Sequence, residues 1–175
     1  MRINFTLSPN VGRLVPFDYH QKLVGRFHKW LGDNAFHDEI SLYSVSWLSK
    51  GQVRSGALDF PAGAKFHISA AKDELLADVI EGLQTETDVN WGMRVTGILP
   101  QRTPDFGERA YFRMQSPVLI KRRVENSERG NSNQRFYYYH DDEADAYLTE
   151  TMQNKLKHAG IEGDIKLSFD KDYAK

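Results

Sequence analysis

The stretch RINFTLSPNVGRLVPFDYHQKLVGRFHKWLG, residues 2–32, decides the fold of this 175-residue chain. Its first part alternates Ile3, Phe5 and Leu7 with Asn4 and Thr6, the period-two pattern of a strand with one buried face. Pro9–Pro16 breaks that pattern. From Asp18 to Leu31 the period changes, with Leu23, Phe27 and Leu31 recurring on one helical face. Asp18 is the expected N-cap and Gly32 the terminator.

Further along, Leu42–Leu48 alternates again, Lys50-Gly51 marks a turn, and Arg54–Phe60 reads as the hairpin partner. Phe66–Ala70 is a short strand. Lys72–Leu83 is a helix with Leu75, Leu76, Val79, Ile80 and Leu83 on one face and Asp73-Glu74 in its first turn. Met93–Leu99 is another strand. The first hundred residues therefore read β–α–β–β–α–β, the order of an α+β, ferredoxin-like unit with helices on one face of an antiparallel sheet.

Pro100–Gly107 is a connector. Beyond it, Arg109–Met114 and Pro117–Val124 read as strands, Glu125–Arg135 as a mobile polar loop, and Phe136–His140 as an aromatic strand. Asp141–Ala159 is a helix carrying Ala144, Leu148, Met152 and Leu156, and Asp164–Phe169 is a last strand. Residues 108–175 thus form a second ferredoxin-like unit that is incomplete, after a first unit at 1–100. Such a unit should leave apolar sheet surface uncovered, so self-association into dimers or larger species is expected.

Composition narrows the function classes. Hydrophobic residues make up 40% and charged residues 27%, which suits a globular protein with a real core. No apolar run approaches the roughly 20 residues that span a bilayer, and the start MRINFTLSPN has no apolar core of a secretory signal. Cysteine is absent, which removes disulfides and thiolate chemistry and makes a cytoplasmic location the expectation. The net charge of −1 hides an uneven distribution. Residues 141–175 hold five Lys/Arg against nine Asp/Glu, a balance of −4, whereas residues 1–60 hold seven against five, a balance of +2. Nucleic acid responds to such local patches.

The residues able to carry chemistry are His28, on the helix beside Lys22, Arg26 and Lys29, and His37, in the connection Gly32–Ile40. Two imidazoles can act as acid and base near neutral pH with no metal or cofactor. Cations nearby can hold the nonbridging oxygens of a phosphodiester. On spacing alone, the plainer reading is an exposed helix residue and a loop residue.

A second basic feature is SPVLIKRR, residues 116–123, where Lys121, Arg122 and Arg123 meet the polar loop carrying Arg129. That layout suits a phosphate backbone, and a charged edge strand that resists aggregation is the competing reading. Tyr137-Tyr138-Tyr139 could stack on bases, although alternation commits part of it to packing. His140-Asp141-Asp142-Glu143 reads as helix capping, not a metal cluster. His67-Ile68-Ser69 has no second copy, which excludes a two-histidine phosphoesterase. There is no P-loop and no G-x-G-x-x-G, and neither a metal nor a cofactor is expected.

Taken in order, MRINFTLSP, PFDYHQKLVGRFHKWL, AFHDEISLYSVSWL and SPVLIKRR resemble the CRISPR-associated endoribonucleases that process repeat RNA, within the repeat-associated mysterious protein (RAMP) superfamily. The resemblance covers almost the whole chain. It implies two tandem ferredoxin-like units that bind CRISPR repeat RNA and cut it without metal. The ribose 2′-hydroxyl attacks the phosphate, leaving a cyclic phosphate and a 5′-hydroxyl. It places the principal catalytic histidine at His37 and a second catalytic side chain at His28. No lysine falls cleanly at the matching third position, so Lys50 and Lys29 are both candidates. Lys22, Arg26, Lys29, Lys121, Arg122, Arg123 and Arg129 are the expected RNA contacts, and other CRISPR effector subunits are expected partners. The chain departs from the family in lacking its terminal glycine-rich segment. Two rival classes remain: an RNA-binding subunit of a defence complex without turnover, and an interaction module with no RNA role.

Overall fold

The computed structural model describes residues 1–32, 42–112, 118, 120–125 and 132–172. It divides into two compact units, Met1–Asp105 and Phe106–Lys175. The expectations for His37, Arg129 and the segment 113–117 lie outside the described residues.

In the first unit, strand β1 (Arg2–Leu7) leads to helix α1 (His20–Leu31) and the short strand β2 (Tyr43–Val45). A small hairpin follows, β3 (Gln52–Arg54) and β4 (Ala57–Asp59), and then β5 (Ala64–Ala70), helix α2 (Asp73–Thr85) and β6 (Val95–Gln101). The main sheet has the order β2-β5-β1-β6, with its neighbouring strands antiparallel. With β3–β4 set aside, this is the ferredoxin-like arrangement, with β1 and β5 in the middle.

Alternation explains which face of β1 is covered. Ile3, Phe5 and Leu7 are buried, and they join Leu23, Phe27, Trp30 and Leu31 of α1 and Leu75, Leu76, Val79 and Leu83 of α2 in one core. Phe5 stacks on Phe66 at 4.6 Å and on Trp30 at 6.1 Å. Each such side chain contributes roughly 1.5–3 kcal/mol by leaving water. Pro100, opposite Ile3, is tolerated because β6 is an outer strand whose free edge needs no donor.

Several expected elements differ. Helix α1 starts at His20, and Tyr19 occupies its N-cap without a side-chain cap bond, so Asp18 is not the cap. Instead Tyr19 N–H bonds Pro16 O, one turn earlier. Leu42–Leu48 does not pair with Arg54–Phe60. β2 pairs with β5, Tyr43 opposite Ala70, while β3 and β4 pair with each other, Val53 opposite Leu58. The sheet edge offers β2 a longer, half-buried partner, and Ser55-Gly56 closes β3–β4 locally through positive φ at both residues.

In the second unit, β7 (Ile120–Glu125) and β8 (Ser132–Tyr137) form a hairpin, followed by helix α3 (Ala144–His158). Strand β8 thus begins inside the polar stretch read as a loop, because backbone pairing tolerates polar side chains on an open face. Residues 109–112 form no strand, and neither does Asp164–Phe169. The latter segment lies along α3. Gln153 Nε2 donates to Ile165 O, Thr149 Oγ1 exchanges hydrogen bonds with Leu167, and Asp145 Oδ1 accepts from Phe169 N–H. Helix side chains thus satisfy backbone groups that a neighbouring strand would otherwise take. Asp141 does not cap α3 by its side chain: its Oδ2 accepts from Tyr138 N–H and closes the preceding turn, and Glu143 stands at the N-cap. Among the described residues no helix is long and apolar enough to cross a membrane.

Gly82 lies where α1 and α2 pack tightly, since a Cβ there would overlap the backbone carbonyl of Trp30. In an open helix, Gly→Ala stabilises by about 1 kcal/mol. Here the sign reverses. Gly82→Ala should lower the thermal midpoint of the first unit, and a midpoint that rises on heating scans would refute this close contact.

Candidate active site

His28 sits in the last turn of α1, next to the buried Phe27. Its Nε2 lies 2.9 Å from the Tyr43 hydroxyl of β2, and the two rings meet edge to face at 5.7 Å. Phe27 packs against Tyr43 at 4.6 Å and meets the His28 ring at 5.2 Å. The site is half-buried, so the imidazole is held in one orientation while solvent still reaches the pair.

Two turns earlier on α1, His20 Nε2 lies 3.0 Å from Val45 O, and its ring stacks on Trp47 at 4.7 Å. Two histidines of one helix therefore reach the same edge strand. Tyr43 and His20 were not singled out from the sequence. The available signal was an aromatic residue opening the strand after the His37 connection, but spacing along the chain does not say that this strand lies against α1.

The cationic stripe of α1 does not act as one patch. Arg26 Nε donates to Val89 O at 2.9 Å, and its guanidinium pairs with Glu86. It clamps the chain after α2 to α1. Trp30 Nε1–H donates to Glu86 O at 2.9 Å beside it. Lys22 and Lys29 are exposed. Lys50 is exposed in the turn before β3, with φ of 73°.

In the second unit the triplet of cations is split by strand alternation. Arg122 pairs with Glu150 of α3 and lies 4.6 Å over the Tyr147 ring. It packs against the helix. Lys121 and Arg123 point the other way and are exposed. Tyr137 is buried in the small core with Ile120 and Ala144. A hydrogen bond with Tyr147, with burial adding to it, pushes its hydroxyl above the usual tyrosine range.

The face of the main sheet opposite the helices carries Arg2, Asn4 and Thr6 of β1 beside Lys65, His67 and Ser69 of β5. Arg2 Nε donates to Ser69 Oγ at 2.9 Å. Burial, and then the Arg2 charge, push His67 below the usual imidazole value. Among the described residues no three His, Asp or Glu side chains are grouped as metal ligands, and His140-Asp141-Asp142-Glu143 belongs to the turn before α3.

A Cas6-related protein of Pyrococcus furiosus superposes with a TM-score of 0.78 at 17% identity, over 94% of this chain and 72% of that one. The chain shares the fold of Cas6 and RAMP proteins. A CRISPR-associated protein Cas6 gives a TM-score of 0.76 at 14% identity, over 97% of this chain and 76% of that one. A RAMP protein described as binding different RNA substrates gives 0.74 at 16%, over 90% and 71%. No protein-family model and no curated protein sequence matches the chain. The likeness is therefore one of backbone, and it extends over 90–97% of the chain.

His67 provides a pH test of the open sheet face. Its folded-state value lies below the unfolded one, so the unfolded chain binds more protons as pH falls. Stability should be full above the unfolded imidazole value, about 6.5, and should decline below it. Denaturant titrations at pH 7 and pH 5 should show a smaller pH-dependent loss in His67→Gln than in the parent. Equal losses would refute the assignment.

Proposed function

We propose that this chain is a metal-independent endoribonuclease that cuts CRISPR repeat RNA, with His37 and His28 as its acid–base pair. The observation that carries the reading is His28, oriented by Tyr43 at 2.9 Å, on α1 of a fold shared with Cas6 proteins. In the reaction one imidazole removes the proton of the ribose 2′-hydroxyl, and its oxygen attacks the adjacent phosphorus. The bond from phosphorus to the 5′-oxygen breaks, and the other imidazolium protonates that oxygen. The products are a 2′,3′-cyclic phosphate and a 5′-hydroxyl. Lys50 or Lys29 would neutralise the nonbridging oxygens. Tyr43 acts as a positioning residue that fixes the His28 ring. Lys22, Lys29, Lys121, Arg123 and Arg129 would hold the RNA, and other CRISPR effector subunits would be partners.

A labelled repeat RNA incubated with excess chelator tests this directly. Cleavage should persist with chelator and fall roughly 10²–10⁴-fold in His37→Ala and in His28→Ala, the usual range for losing an acid or base. Tyr43→Phe should lower kcat by less and leave KM near the parent value. Full activity in both histidine variants would refute the roles, and loss of cleavage on chelation would refute the mechanism.

One observation favours a second reading. His20 and His28 both bond to β2, so His28 also serves to fasten α1 to the sheet edge. On that reading the chain holds repeat RNA in a defence complex without turnover. Its mark would be RNA binding that weakens steeply with salt, is unchanged in His37→Ala, and yields no product.

A further inference from the structure

The hairpin β7–β8 presents two faces of different chemistry. Cross-strand register pairs Ile120 with Tyr137 and Arg122 with Arg135 on one face, and Lys121 with Phe136 and Arg123 with Gln134 on the other. The first face is used internally, with Ile120 and Tyr137 buried, Arg122 paired with Glu150 and Arg135 4.7 Å over the Tyr137 ring. The second face is exposed at all four of its described side chains. It carries two cations, an amide and a phenyl ring that is 44% exposed, and alternation places Glu125 at the same face's far end.

We propose that this second face binds unpaired RNA, with Phe136 stacking on a base, Lys121 and Arg123 contacting successive phosphates, and Gln134 hydrogen-bonding a base edge or ribose. The proposal rests on the RNA reading above and adds the form of RNA and the residues that select it. Same-face residues on one strand stand roughly 7 Å apart, so the two cations lie in line beside the ring. Lys121 Nζ lies over the Phe136 ring, 5.9 Å from its centroid, a cation–π contact that puts a charge beside any base stacking there. A ring beside aligned cations suits a single strand, because a duplex hides its base faces.

The tyrosine run offers a poorer platform, although Tyr138 and Tyr139 are also exposed. Tyr138 stacks on His140 with the rings 6° from parallel, and Tyr139 meets the same His140 edge-on. Their faces are partly taken by each other. The adjoining Asp141, Asp142 and Glu143 would repel a phosphate chain. Charge favours the Phe136 face.

The test is fluorescence anisotropy with labelled oligouridine and with duplex RNA of equal length, using the full chain across a salt series. Phe136→Ala should weaken oligouridine binding about tenfold, within the range for losing one base stack, while Phe136→Trp restores it. Lys121→Ala and Arg123→Ala should each lower the salt slope by about 0.7. Tyr138→Ala should change little, and duplex binding should be weaker and indifferent to Phe136. Unchanged oligouridine affinity in Phe136→Ala, an equal loss on duplex, an equal loss in Tyr138→Ala, or no RNA binding by the parent would each overturn the proposal. Far-ultraviolet circular dichroism confirms that each variant is folded. If the parent cuts repeat RNA but Phe136→Ala binds oligouridine normally, this face is refuted and the nuclease reading stands. If no RNA is cut but the Phe136 effect holds, the nuclease reading fails and this face stands.

Discussion

The first unit depends on burying one face of β1. Ile3, Phe5 and Leu7 are almost fully removed from water, and β1 is paired on both edges, by β5 and β6. A central strand has no free edge to adjust, so its register fixes both neighbours. The apolar face then dictates which way α1 and α2 must lie, because both helices have one apolar stripe and only one sheet face to cover. Phe5 between Phe66 and Trp30 is the contact at which sheet and helix are keyed together. His28 follows from this, since the rotation that buries Phe27 turns its neighbour toward β2.

Polar contacts then refine what burial has set. Tyr19 is buried in the core with its hydroxyl accepting from Leu48 N–H at 2.7 Å. Burial pushes that hydroxyl above its usual range, and the Leu48 contact offsets part of the rise. Arg26 and Trp30 hold the chain after α2 through Glu86 and Val89. These bonds fix the ends of elements whose middles are held by packing. The second unit has a much smaller core of Ile120, Tyr137 and Ala144, and relies more on side-chain bonds such as Arg122–Glu150 and those between α3 and residues 165–169.

Charge had to be read through this framework. Arg26 and Arg122 look equivalent to their basic neighbours in a list of residues, yet both are tied into ion pairs and backbone or ring contacts. Lys22, Lys29, Lys121 and Arg123 stay exposed. Exposure of these cations is thus sorted by helix and strand faces, not by local density in the chain.

Periodicity made the larger elements legible. The spacing of Leu23, Phe27 and Leu31, and of Leu75, Leu76, Val79 and Leu83, reported buried helix faces because those residues must share a side of a helix. Alternation in β1 reported its buried face for the same reason. Strand partners were not legible: β2 pairs with β5, β3–β4 close on themselves, and Asp164–Phe169 follows α3 although its alternation reads as a strand. Pairing is a contest between edges far apart in sequence, and local pattern carries no record of who wins. His28 could be named from the sequence as a titratable group beside cations. Its contact with Tyr43, and the division of Lys121 and Arg123 from Arg122, were decided only in three dimensions, where the core fixes the rotation of each element.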